Sequence, residues 1–233
     1  MARASPLTPD DARARLTYMS ARHNNGITDL MVAASRGDQA RVEGLLAGGA
    51  DPNARDVFGQ TALMYAASAG HASVVEALVD AGADVEARNR NRKSSHELAQ
   101  ERGHASVAAF LQHASLFTAA RDGDLAKLNA LLDAGVNPNA LLRDEWTALM
   151  IAALNDRPQA VSALLRRGAY PDTQNAAGWT ALMIAERKGH AEVARLLRAG
   201  RPERPLPSLI ADSAGDAELS EPPEQTLGRP HDA

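Results

Sequence analysis

Seven histidines are the first residues in this sequence that could do chemistry. A neutral imidazole ligates metals, and near neutral pH it moves protons. His71, His104 and His190 share one context, each following a glycine. His96 precedes Glu97, but Gln100 stands where a helical zinc-protease motif needs its second histidine. The spacing of His96, His104 and His113 matches no standard zinc site. His23 and His231 lie near an element end or in the tail. There is no cysteine, which excludes disulfides and thiol chemistry. No glycine-rich phosphate loop and no G-x-S-x-G elbow occurs. Acidic residues are abundant, yet they fall on positions that read as solvent faces and loop tips, with no converging acid–base pair. No catalytic residue, metal or cofactor is therefore expected, and the chain reads as a non-enzyme.

The elements that position these residues are short helices. Around residues 59–83, Thr61 is suited to cap a helix carrying Leu63, Met64, Ala66 and Ala67, and Gly70 stops it. A second helix presents Val74, Val75, Leu78 and Val79 on one face and ends at Gly82. Isolated helices shorter than about 12–15 residues are marginal in water, so the pair must lean on something. The sequence supplies it by repetition. Thr28, Thr61 and Ser94 stand 33 apart, and so do Ala114, Thr147 and Thr180.

A turn and two helices repeating every 33 residues resembles the ankyrin repeat. The resemblance covers roughly residues 24–200 and rests on several motifs. These are Ala66-Ala67…Gly70-His71, Gly82-Ala83-Asp84, Gly49-Ala50-Asp51-Pro52-Asn53 and Gly168-Ala169-Tyr170-Pro171-Asp172. The family's Thr-Pro-Leu-His becomes Thr61-Ala62-Leu63-Met64, Thr147-Ala148-Leu149-Met150 and Thr180-Ala181-Leu182-Met183. The missing proline removes a pre-set first turn. The missing histidine removes the Thr–His hydrogen bonding usual in the family. The implied fold is an all-α ankyrin-repeat solenoid of helix-turn-helix pairs with short hairpin-like fingers. The implied function is protein–protein interaction, with a partner held on the concave face lined by fingertips and first helices. The Gly-His histidines are structural in this family.

On that frame, the residue before the capping Thr or Ser is Ile27, Gln60, Lys93, Trp146 or Trp179. Both tryptophans of the chain stand at this one place, which faces the groove in the family. Phe58 sits two residues earlier, at a fingertip. Arg88, Arg90, Arg92 and Lys93 make a basic tip, open to an acidic partner, to the chain's own acidic tail, or to solvent alone. The candidate partner-binding residues are Phe58, Gln60, Arg90, Lys93, Trp146 and Trp179. Each Trp either meets a partner, as interface aromatics do, or packs flat on its neighbouring finger. Met31, Met64, Met150 and Met183 either floor the groove or fill gaps between helices.

The two halves of the chain align at a shift of 86. Ala33-Ala34-Ser35-Arg36-Gly37-Asp38 matches Ala119-Ala120-Arg121-Asp122-Gly123-Asp124, and Gly103-His104-Ala105 matches Gly189-His190-Ala191. The expected organisation is an N-terminal segment over 1–26 and two three-repeat units, 27–113 and 114–200. An acidic, Pro-rich, disordered tail follows over 201–233. The N-terminal segment is expected to carry a helix at 9–22, started by Thr8 and Pro9, that either caps the stack or binds a partner on its own. Pro158 suits the first turn of a helix in the fifth repeat. The third repeat lacks its finger, so six helix pairs in one stack with a notch or changed bend at 113–116 are expected, the alternative being a continuous superhelix that lacks one finger there. A Leu206-Pro207-Ser208-Leu209-Ile210 motif stands in the tail.

Composition narrows the setting. A net charge of −4 argues against a broad nucleic-acid surface. No run approaches the ~20 apolar residues of a membrane span, and no secretory leader is evident. A cytoplasmic monomer with an unknown protein partner, no nucleic acid and no membrane is expected. Three lysines against many arginines suggest a GC-rich bacterial genome. The alternatives are an accessory, immunity or inhibitor protein for a neighbouring enzyme, or a metal- or small-molecule-binding protein.

Overall fold

Five of the helix pairs begin with a hydroxyl among the described residues. In the computed structural model, which describes residues 25–200, Thr28, Thr61, Thr147 and Thr180 cap helices. The Oγ1 of each accepts from the backbone N–H of Met31, Met64, Met150 or Met183 at 3.2–3.3 Å. Ser94 does the same for the N–H of Glu97, whose carboxylate accepts from Ser94 N at 2.7 Å. That reciprocal pair is a capping box. At Thr28, the backbone N–H donates to Met31 Sδ at 3.4 Å.

The helices are α1 Asp29–Arg36, α2 Gln39–Ala47, α3 Ala62–Ala69, α4 Ala72–Asp80, α5 Ser95–Glu101 and α6 Ala105–Asp122. They continue as α7 Leu125–Asp133, α8 Ala148–Leu154, α9 Pro158–Arg166, α10 Ala181–Lys188 and α11 Ala191–Ala199. A 3₁₀ turn, Arg143–Glu145, lies between α7 and α8. No β-strand occurs among the described residues. The chain is an all-helical repeat array.

Helix ends follow local chemistry. Gly70 closes α3 at φ +78, a left-handed backbone that glycine adopts without strain. A Cβ there would also meet the ring of His104 at 2.5–2.8 Å. Pro158 occupies the first turn of α9 and needs no N–H partner there.

The described residues form two compact units, one ending at Leu111 and the other starting at Gln112. In the first, α3 packs between α1 and α5, and α2 packs on α4. Leu30, Met31, Val42, Leu63, Met64, Val74, Val75 and Leu78 fill the core between these two layers. In the second, α8 packs on α10, while α9 packs between α7 and α11. Its core holds Phe117, Leu128, Leu149, Met150, Val161 and Leu164.

Six separate helix pairs are not formed. The second helix of the third repeat and the first of the fourth are one 18-residue helix, α6. It runs unbroken through 113–116, where the third repeat was expected to give way to the fourth. No glycine or proline stands between 105 and 122, so with the finger missing nothing stops the helix before Gly123. The expected capping helix at 9–22, the acidic tail and its Leu206–Ile210 motif lie outside the described residues.

His96 marks a weak place. It occupies the repeat position that Leu30, Leu63, Leu149 and Leu182 fill with core side chains. Its Nε2 is enclosed without a hydrogen-bond partner among the described residues. Burial holds the imidazole below the usual histidine range, with Glu97 and Glu86 pulling the other way. The unfolded chain therefore takes the proton first, and stability falls as pH drops through that range. His96→Leu should raise stability by about 1 kcal/mol and flatten this acid-side loss in chemical denaturation.

Candidate partner-binding surface

The fingers between helix pairs are built by side-chain acceptors. Asp56 Oδ1 accepts from the backbone of Phe58 and of Gln60, both at 2.8 Å. Asn89 repeats this for Asn91 and Lys93 at 3.0 Å, and Asn175 for Ala177 and Trp179 at 3.1 and 2.9 Å. Such turns fix a tip without a strand ladder. Asn53 ties the base of its finger to the next, accepting from Asp84 N at 2.7 Å and donating to Gly82 O at 3.1 Å. Asn139, 86 residues on, does the same for Tyr170 N and Gly168 O.

The Gly-His histidines are also ties. The Nε2 of His71, His104 and His190 donates to the carbonyls of Ser35, Ser68 and Leu154 in the preceding repeat, at 3.1–3.2 Å. Arg157 stands at that position in the fifth repeat and reaches Arg121 O through Nε at 2.9 Å. Their nitrogens hold neighbouring repeats together.

In the first unit, four of the singled-out residues lie on adjacent fingers. Phe58 is 56% exposed, with Val57 beside it at 41%. Arg90 is exposed, and its N–H donates to Phe58 O at 2.9 Å, joining the two tips. Gln60 is half-buried behind the Phe58 tip. Lys93 is engaged with Glu101 at 2.6 Å, and Arg88 with Glu97 at 3.2 Å.

In the second unit, the two tryptophans differ. Trp146 is only 4% exposed and belongs to the core. Its finger has Leu142 where the others have Asp or Asn. The tip closes instead through the 3₁₀ turn, with Asp144 and Glu145 left-handed at φ +57 and +61. Leu142 and Leu154 are partly buried and pack against the core to which Trp146 belongs. Trp179 is half-buried, its ring under the guanidinium of Arg187, 5.1 Å from the centroid. That geometry suits a cation–π contact. Trp179 Nε1 and Asn175 Nδ2 are both enclosed without a hydrogen-bond partner among the described residues. Met31, Met64 and Met150 are buried gap-fillers, whereas Met183 is 44% exposed.

Sequence reasoning missed several residues. Tyr170 is 66% exposed and Leu141 more than half exposed. The signal for Tyr170 was its position, polar in the other repeats as Asp51, Asp84 and Asn137. Asp56 departs from the expectation that acids lie on solvent faces. It is buried, and its Oδ2 accepts from the Tyr65 hydroxyl at 2.7 Å. Desolvation, then the hydrogen bond and charge of Asp56, push the Tyr65 phenol from 10.0 up to about 12. The folded chain thus holds this proton more tightly. Stability from this group is complete below pH 10 and is lost as pH rises towards 12. Tyr65→Phe should cost about 1 kcal/mol at neutral pH and remove that alkaline loss, read by denaturant melts across the range.

Among the described residues, no group of three or more His, Asp or Glu side chains is placed to hold a metal ion. No helix among them is long and apolar enough to cross a membrane. A family model described as ankyrin repeats (3 copies) matches the chain twice, over residues 30–115 and 116–203. No curated protein gives a match.

Proposed function

Because the chain belongs to the ankyrin-repeat family, we propose that it is a non-enzymatic protein-interaction module. It holds a partner on the concave side, where fingertips and first helices lie. Phe58, Gln60, Arg90 and Lys93 serve this contact in the first unit. Trp179 serves it in the second, with Trp146 shaping the surface from beneath. One observation carries the proposal: an aromatic side chain, Phe58, stands in solvent on a tip braced by the Asp56 carboxylate, which accepts from two tip amides, and by the Arg90 N–H bond to Phe58 O. Rigid exposed aromatics are what interfaces use as anchors, because little side-chain entropy is lost on binding. On composition, we place the protein in a bacterial cytoplasm, as a monomer until it meets its partner.

Affinity capture from the source cell tests this. The Phe58→Ala/Trp179→Ala variant should recover a specific partner about tenfold less efficiently than the wild type. Equal recovery of the same partner would remove both residues as anchors.

A further inference from the structure

Residues 88–93 put four cations and no acid on one fingertip, although the chain as a whole carries −4. Arg88 and Lys93 are neutralised by Glu97 and Glu101. Arg90 and Arg92 are exposed and form no ion pair among the described residues. The same holds for Arg55, on the preceding finger, which reaches Arg88 O at 2.8 Å. Arg92 stands at φ +61, at the repeat position that Gly59 and Gly178 occupy in two other fingers. The backbone there favours glycine, yet the chain places a cation. Val57 and Phe58 lie at the same edge, joined to it by the Arg90 N–H to Phe58 O bond.

Resting on the partner-binding reading above, we propose that this edge receives an extended acidic segment of the partner protein. Its carboxylates meet Arg55, Arg90 and Arg92, and an aliphatic or aromatic side chain lies against Val57 and Phe58. The charges set orientation and speed of encounter, and the apolar contact supplies the hold. A nucleic acid fits less well. The unpaired cations at this edge are few, Val57 has no stacking face, and the molecule's net negative charge repels a phosphate backbone.

Fluorescence anisotropy on the full chain tests the proposal, using a short labelled peptide in which glutamates alternate with leucines. Binding should weaken as salt is raised. It should fall about tenfold in Arg90→Glu/Arg92→Glu and in Phe58→Ser. Arg92→Gly separates folding from binding: it removes the cation and relieves the left-handed backbone. It should bind the peptide more weakly while melting at the wild-type temperature or above. Undiminished binding in these variants would overturn the proposal. Equal affinity for a glutamate–serine peptide would do the same, since the apolar contact would then be idle. Tighter binding of a single-stranded oligonucleotide would reassign the edge to nucleic acid. Tighter binding of a peptide of residues 206–225 would reassign it to the chain's own acidic stretch. If the peptide fails while Phe58→Ala/Trp179→Ala still loses the captured partner, only the acidic chemistry falls and the binding side remains.

Discussion

Replacing Leu164 with alanine should cost the second unit about 2–5 kcal/mol, measured by chemical denaturation. Leu164 lies on α9 and is fully enclosed. Its helix packs against α7, α8 and α11 together, so the truncated side chain leaves a void with walls on several sides. Walls held by several short helices cannot all close on it, and a cavity that cannot collapse costs most. Leu78 is the counterpart 86 residues earlier, equally buried on α4, and the same loss is expected there. Repeat arrays hold themselves through nearest-neighbour contacts, so amides close to each site should exchange faster than distant ones. A loss below about 0.5 kcal/mol, the size of an ordinary surface change, would contradict the packing described.

Asp56→Ala should cost about 2–4 kcal/mol and weaken partner capture as well. The carboxylate accepts from Phe58 N, Gln60 N and the Tyr65 hydroxyl, all at 2.7–2.8 Å, while only 6% exposed. Alanine leaves three donors without their acceptor. Water reaches the exposed tip more readily than the Tyr65 side, so the loss is less than three full penalties. The tip that holds Phe58 outward also loses its brace. Asp56→Asn separates the two roles. Asn89 and Asn175 show that a carboxamide oxygen builds the same turn. Asparagine should therefore keep the tip and lose only the charge-assisted bond to Tyr65, for about 1 kcal/mol. Equal losses in the two variants would show that the turn itself contributes little.

Much of this fold was legible because its signals are local. A threonine before an apolar run caps a helix wherever it stands, and a left-handed glycine ends one. Thr61 and Gly70 needed no tertiary context, and the spacing of 33 carried them along the chain. The fusion of two helices into α6 was also written in the sequence, in the lack of any Gly or Pro from 105 to 122. A template of separate pairs overrode that plainer signal. The tryptophans show what a repeat position cannot tell. Trp146 and Trp179 share a place in the repeat, but Leu142 replaces the turn-forming acceptor ahead of one and Asn175 provides it ahead of the other. Whether a ring enters the core depends on that finger and on the walls around it, which lie far off in sequence. Asp56 was misread because its partners, two tip amides and the Tyr65 hydroxyl, are brought to it only when the finger folds.

The proposed partner contact lies on the fingertip side of the repeats. A photoreactive benzoylphenylalanine in place of Phe58, at an exposed fingertip, or in place of Glu76, exposed on the second-helix layer, reads that side directly in living cells. A covalent partner adduct from position 58 and none from position 76 is the predicted result. An adduct from position 76 alone, or equally from both, would contradict it.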